Sequence, residues 1–114
     1  GVFHVFPTVI LTGSMEPVLS PGDVAIMLRC DLKDIKIGDV IQYWTGEYFI
    51  VHRVIAIDES GFFQTKGDNN SAPDAKLVSP EQIRGKMIAS VPQLGKLTIF
   101  LNAKRKVPAP EPEF

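Results

Sequence analysis

The feature that most constrains this chain is the spacing of its turns. Short runs of β-branched, aromatic and aliphatic residues alternate with Gly, Pro and Asp clusters. Val9 to Thr12 is apolar and β-prone. Ser20-Pro21-Gly22-Asp23 is a turn before the strand-like run Val24 to Leu28. Ile37-Gly38-Asp39 leads into Val40 to Trp44, and Thr45-Gly46-Glu47 turns into Tyr48 to Ile57. Asp58-Glu59-Ser60-Gly61 leads into Phe62 to Lys66, a polar loop follows from Gly67 to Pro73, and Ile83 to Val91 reads as a further strand. Turn signals at this interval predict a mostly β fold, a small antiparallel barrel or sandwich. Helical signal is confined to one short turn within Ser14 to Leu19 and a helix start at Ser79-Pro80-Glu81-Gln82.

The 114 residues, 45% hydrophobic, suffice for one core without a metal or disulfide staple. We expect one domain over residues 1–106, with residues 107–114, where Pro alternates with Ala and Glu, as a disordered tail or linker. The net charge is −1 with scattered basic residues, which argues against nucleic acid as a partner. The single cysteine, Cys30, forms no internal disulfide and is read as a small, partly buried residue rather than a nucleophile. No stretch reaches the ~18 apolar residues of a membrane span. The run Val2 to Leu11 is interrupted by His4, Pro7 and Thr8 and lacks the charged start of a signal peptide. Both ends nevertheless look cut, in an apolar run at the start and a strand-like run stopping at Leu101. Flanking membrane segments are therefore expected outside an otherwise soluble fragment.

Three stretches can carry chemistry. In Thr12-Gly13-Ser14-Met15-Glu16-Pro17, a hydroxyl beside Gly sits where a strand ends, open to close approach. In Ile50-Val51-His52-Arg53-Val54, a histidine alternates with apolar residues. It can be a core or rim histidine, or the base that takes a proton from a serine. His4, with no polar neighbour, is read as structural or interfacial. Thr65-Lys66-Gly67-Asp68-Asn69-Asn70, followed by Asp74, is either an Asx-type turn or the source of a carboxylate that orients the base. Asp68 and Asp74 are both candidates. No pair of His, Cys or Asp has metal-ligand spacing, so neither a metal nor another cofactor is expected.

In this order, and with Gly38-Asp39-Val40-Ile41 between the first two, these motifs resemble type I signal peptidase. More narrowly, they resemble its endoplasmic-reticulum type, shared by eukaryotes, archaea and some sporulating Gram-positive bacteria. The match runs from about Val9 to Val91. The resemblance implies Ser14 as nucleophile and His52, where the typical bacterial enzyme has lysine, as general base. It implies an oxyanion hole from the Ser14 N–H and the Thr12 hydroxyl. Asp74 best matches the family's third catalytic residue, while Asp68 belongs to the motif itself and is read as supporting. The resemblance further implies the antiparallel β fold shared with self-cleaving SOS repressors, and cleavage of signal peptides from exported preproteins after small residues at −1 and −3. It also implies membrane anchoring, with the active site on the extracytoplasmic or lumenal face. Accessory subunits are left open. Ile10, Met15 and Val51 are expected to wall a shallow substrate pocket. A self-cleaving repressor peptidase would need lysine at the place of His52, and a non-catalytic barrel binding a partner through its apolar N-terminal face would fail a peptide-cleavage assay.

Overall fold

In β3 (Val40–Trp44) the first four residues are all buried, with no in–out alternation. A strand reads this way when both of its faces are covered, and here they are. Val40 packs into one apolar cluster with Ile10, Met15, Leu19, Ala25, Met27 and Met87. Ile41 and Tyr43, pointing the other way, join Ile35, Val54, Phe63 and Val78 in a second cluster. The strand is thus a wall between two small cores.

The computed structural model describes residues 4–93 and 98–99. The expectations for residues 2–3, for Leu101 and for the tail 107–114 lie outside them. Around β3 stand β1 (Val5–Val9), β2 (Val24–Leu28), β4 (Phe49–Ile57), β5 (Phe63–Lys66), β6 (Ile83–Val91) and β7 (Thr98–Ile99). They form one sheet in the order β1-β2-β6-β3-β4-β5, with β7 also on β6, and every pairing is antiparallel. The expected mostly β antiparallel architecture is present. Gly46, at a left-handed φ of 106°, lets the β3–β4 hairpin turn within a few residues.

The first strand differs from the expectation. It occupies Val5–Val9 rather than Val9 to Thr12. Pro7 marks that stretch as unlikely ladder, yet β1 is an edge strand, where a missing N–H leaves no partner unserved. The ladder stops at Val9, paired with Val24, and two bonds extend it, from the Ile10 N–H to the Asp23 carbonyl and from the Gly22 N–H to the Ile10 carbonyl. Residues 11–14 then leave the sheet. The turn expected within Ser14 to Leu19 is present, closed by the Leu19 N–H on the Met15 carbonyl at 3.0 Å. Met15 and Leu19, 1% and 0% exposed, anchor that loop in the first core. Each such burial is worth about 1.5–3 kcal/mol, so the loop holding Ser14 is pinned from below.

Candidate active site

Register and burial deliver the site. On β4, His52 lies opposite Ile41 of β3, and Val54 lies opposite Thr65 of β5. Side chains two apart share a face, so His52, Val54 and Thr65 stand on the face of the second core. Beyond Lys66 the chain loops out and returns beside β5. The Asp74 N–H bonds the Thr65 carbonyl at 2.8 Å, and Val78 exchanges both backbone bonds with Phe63. That return sets Asp74 against His52.

The His52 Nδ1–H donates to Asp74 Oδ2 at 2.6 Å. A carboxylate accepts only, so Nδ1 carries the proton and Nε2 is left as acceptor. The Ser14 hydroxyl, 3.1 Å from Nε2, then donates to it. Thr12 Oγ1 sits 3.2 Å from Ser14 Oγ and 3.4 Å from the Ser14 nitrogen. The imidazole is buried while Ser14 stays partly open. The same Asp74 oxygen accepts from Thr65 Oγ1 at 2.7 Å and from the Tyr43 hydroxyl at 3.2 Å. Burial, opposed in part by the Thr65 hydrogen bond and reinforced by the Asp74 charge, pushes the Tyr43 phenol up to about 12.

Asp68 does not reach the imidazole. It takes two bonds from Arg53, Nε to Oδ1 at 2.9 Å and Nη2 to Oδ2 at 2.7 Å, while Arg53 Nη1 donates to the Gly38 carbonyl at 2.7 Å. The pair fastens loop 67–70 to β4, and the loop in turn grips the segment that carries Ser14. The Asn69 N–H donates to the Ser14 carbonyl at 2.8 Å, Asn69 Nδ2 to the Gly13 carbonyl at 3.1 Å, and the Asp68 N–H to Met15 Sδ at 3.4 Å. Gly67 is the wedge between them. A Cβ there would lie 2.7 Å from the Ser14 carbonyl oxygen, 2.7 Å from Asn70 Nδ2 and 3.0 Å from His52 Nε2.

The sequence points to Ser14, His52, Thr12 and Asp74, and these meet here. It gives no role to Thr65, Tyr43, Arg53 or Asn69. The available signals were a hydroxyl at a core position of β5, a Tyr in a run buried on both faces, and an Arg beside the His in a strand. Elsewhere, Lys66 Nζ turns to the Gly67 carbonyl at 3.3 Å, His4 is exposed before β1, and burial pushes the Cys30 thiol up from its ordinary value. Among the described residues no group of three His, Cys, Asp or Glu could hold a metal ion, and no helix is long and apolar enough to cross a membrane.

Ser14 and His52 open into a cleft of about 720 Å³ walled by Thr8–Thr12 on one side and Tyr48–Val51 on the other. Ile10, Met15 and Val51 all line it. Ile10 and Met15 are also core residues, and Val51 packs against the same core, so they form its apolar floor. The ladder between β4 and β5 begins at Arg53, and among the described residues Phe49–His52 therefore have no strand partner on that side.

A hydroxyl, an imidazole and a carboxylate in series beside an apolar cleft form the geometry through which serine hydrolases move a proton off a nucleophile. No family model matches the chain. It is 38% identical over 80 residues to signal peptidase I W of Bacillus subtilis, covering 66% of this chain and 42% of that protein. It is 36% identical over 113 residues to the signal peptidase complex catalytic subunit SEC11 of Lachancea thermotolerans, covering 85% and 66%. It is 36% identical over 106 residues to SEC11 of Clavispora lusitaniae, covering 82% and 63%. The chain belongs to the type I signal peptidase family, in the branch that joins the Bacillus enzyme to the catalytic subunits of the endoplasmic-reticulum complex. It spans 42% to 66% of the length of these relatives.

Two predictions follow from the packing. Gly67→Ala forces backbone or imidazole to move and should lower unfolding free energy by about 1–3 kcal/mol. Urea denaturation measures it, and unchanged stability would contradict the wedge role. The second concerns Tyr43. Its folded pKa lies above the ordinary value of 10.0, so its contribution to stability is complete below that pH and is lost as pH rises through about 12. The urea midpoint of the wild type should therefore fall more steeply between pH 10 and 12 than that of Tyr43→Phe. Parallel curves would contradict it.

Proposed function

We propose that this chain is the catalytic domain of a serine endopeptidase that removes signal peptides from exported preproteins, with Ser14 as nucleophile and His52 as general base. The observation that carries the proposal is the continuous relay from Asp74 through His52 to Ser14, 2.6 and 3.1 Å long, opening into a cleft.

In the first step His52 Nε2 takes the Ser14 proton as Oγ attacks the scissile carbonyl carbon. The negative charge on the carbonyl oxygen is met by the Ser14 N–H and by the Thr12 hydroxyl, which turns to it from Ser14 Oγ. One such donor is worth about 2.7–4 kcal/mol in the transition state. His52 then gives its proton to the leaving amine, the peptide bond breaks, and the signal peptide stays as an ester on Ser14. Water, deprotonated by His52, attacks the ester and releases the new carboxyl end and free Ser14. Asp74 holds the imidazole in the tautomer that starts the cycle and stabilises the imidazolium between steps. Asp68, paired with Arg53, supports the loop.

The cleft favours an extended substrate. The end of β1 with the extended segment after it, Thr8–Thr12, and the β4 edge at Phe49–His52 can bond a peptide main chain laid between them. The floor of Ile10, Met15 and Val51 is shallow because Ile10 and Met15 are sunk into the core, which suits small side chains at −1 and −3. Val9, Leu11, Tyr48 and Phe49 are exposed around the same opening, and Trp44 meets Phe49 with the rings tilted and their centroids 4.7 Å apart. This apolar rim suits a membrane-anchored enzyme whose cleft faces the extracytoplasmic or lumenal surface of the bilayer, since aromatic rings favour that interface.

The test is cleavage of a synthetic signal peptide by the wild type and by Ser14→Ala. The wild type should cut after the small −1 residue. Ser14→Ala should lose turnover by at least about 10³-fold with an unchanged melting curve. A carefully purified Ser14→Ala protein that still cuts the peptide would overturn the mechanism, and a wild type that binds the peptide without cutting it would favour a binding domain.

A further inference from the structure

The oxygen of Asp74 that meets His52 also meets two hydroxyls from the core. Thr65 Oγ1 donates to it at 2.7 Å and Tyr43 Oη at 3.2 Å. Thr65 and Tyr43 are themselves 3.2 Å apart, and they are 0% and 4% exposed. We infer that Thr65 and Tyr43 are positioning residues for the peptidase reaction, fixing the Asp74 carboxylate so that His52 keeps Nε2 aimed at Ser14. The inference rests on the function proposed above.

Position 65 faces an apolar cluster in the middle of a strand, where valine would match the shape and the β-propensity of threonine. A hydroxyl at such a site is costly unless it is bonded. Here its proton goes to the carboxylate, and its backbone carbonyl accepts the Asp74 N–H at 2.8 Å, so one residue holds Asp74 at two points. Tyr43 has one proton to give and lies 3.2 Å from both Asp74 Oδ2 and Thr65 Oγ1. That proton goes to Asp74, so both hydroxyls of this triangle donate to the one carboxylate oxygen. Asp74 needs such restraint because its side chain is 22% exposed and rises from a loop rather than a strand. With His52 as its only partner, the carboxylate could rotate with the imidazole and both would drift from Ser14. Two buried hydroxyls, on β3 and β5 either side of β4, give it a fixed reference. Burial keeps the Tyr43 phenol in its donating, protonated form.

The experiment combines steady-state kinetics of the full-length protein on a signal-peptide substrate with proton NMR of the His52 Nδ1–H resonance. Thr65→Val should lower kcat by about tenfold, the loss of one hydrogen bond to a charged group, with KM unchanged. It should also move the downfield Nδ1–H signal upfield. Thr65→Ser, which keeps the hydroxyl, should restore both, and Tyr43→Phe should move both in the same direction by less. A merely structural role would lower stability and leave the resonance and kcat of the folded fraction where they were, and that result overturns the inference. Should Thr65→Val fold poorly, an unshifted resonance in Tyr43→Phe overturns it as well. Ser14→Ala, run beside them, separates the failures. If it remains active, the peptidase mechanism itself is wrong. If it is inactive while Thr65→Val has wild-type kcat and resonance, only the positioning role falls.

Discussion

One backbone hydrogen bond, from the Asn69 N–H to the Ser14 carbonyl at 2.8 Å, joins the two loops on which the site depends. Ser14 is not on a strand. It stands in a loop that has left the sheet, held from below by Met15 and Leu19 and from the side by loop 67–70. The second loop is itself anchored by the Arg53–Asp68 pair to the strand that carries His52. The route from His52 to Ser14 therefore closes into a ring, through Arg53, Asp68, Asn69 and back across the 3.1 Å contact. Gly67 lets the ring close to that distance, because any side chain there would stand between the serine carbonyl and the imidazole.

The division into two cores gives each part of the relay its own footing. The first core, with Met15 and Leu19, sits under the loop that carries Ser14. The second, with Tyr43, Val54 and Phe63, sits under the face that presents His52, Thr65 and Asp74. The wall β3 serves both, which is why it is buried on both faces and why Gln42, on the first-core side, is held by a 3.2 Å bond from Thr8. Catalytic geometry is most reproducible when side chains on rigid elements are locked by their neighbours. In the proposed reaction the base is the part on a rigid strand, and the nucleophile is brought to it.

The strands were legible because alternation and turn residues are local signals. Val24–Leu28 follows the Pro21-Gly22-Asp23 turn, and Val40–Trp44 stands between Gly38-Asp39 and Thr45-Gly46. The first strand was hidden because Pro7 is a breaker everywhere except on a sheet edge, and edge status is set by the whole topology. Ser14, His52 and Asp74 could be named from motif order through the family resemblance. Their distances could not, since 38 residues separate Ser14 from His52. Asp68 and Asp74 are alike from the residues alone, both acidic and both in one polar loop. They diverge because Asp68 faces Arg53 of β4 while the chain returning along β5 carries Asp74 to His52. Thr65 reads as an ordinary strand residue because its partner, Asp74, is nine residues away in a loop without periodicity.

On this account two aspartates six residues apart serve different ends, one orienting the base and the other fastening the loop. The most direct measurement is kcat on a signal-peptide substrate for Asp74→Asn and Asp68→Asn, each checked for native folding by circular dichroism. The account predicts that Asp74→Asn stays folded and loses kcat on the order of 10⁴-fold, the scale of losing the correct imidazole tautomer. It predicts that Asp68→Asn unfolds more readily yet, where folded, retains most of its turnover. Near-normal turnover in Asp74→Asn beside a well-folded but inactive Asp68→Asn would contradict it.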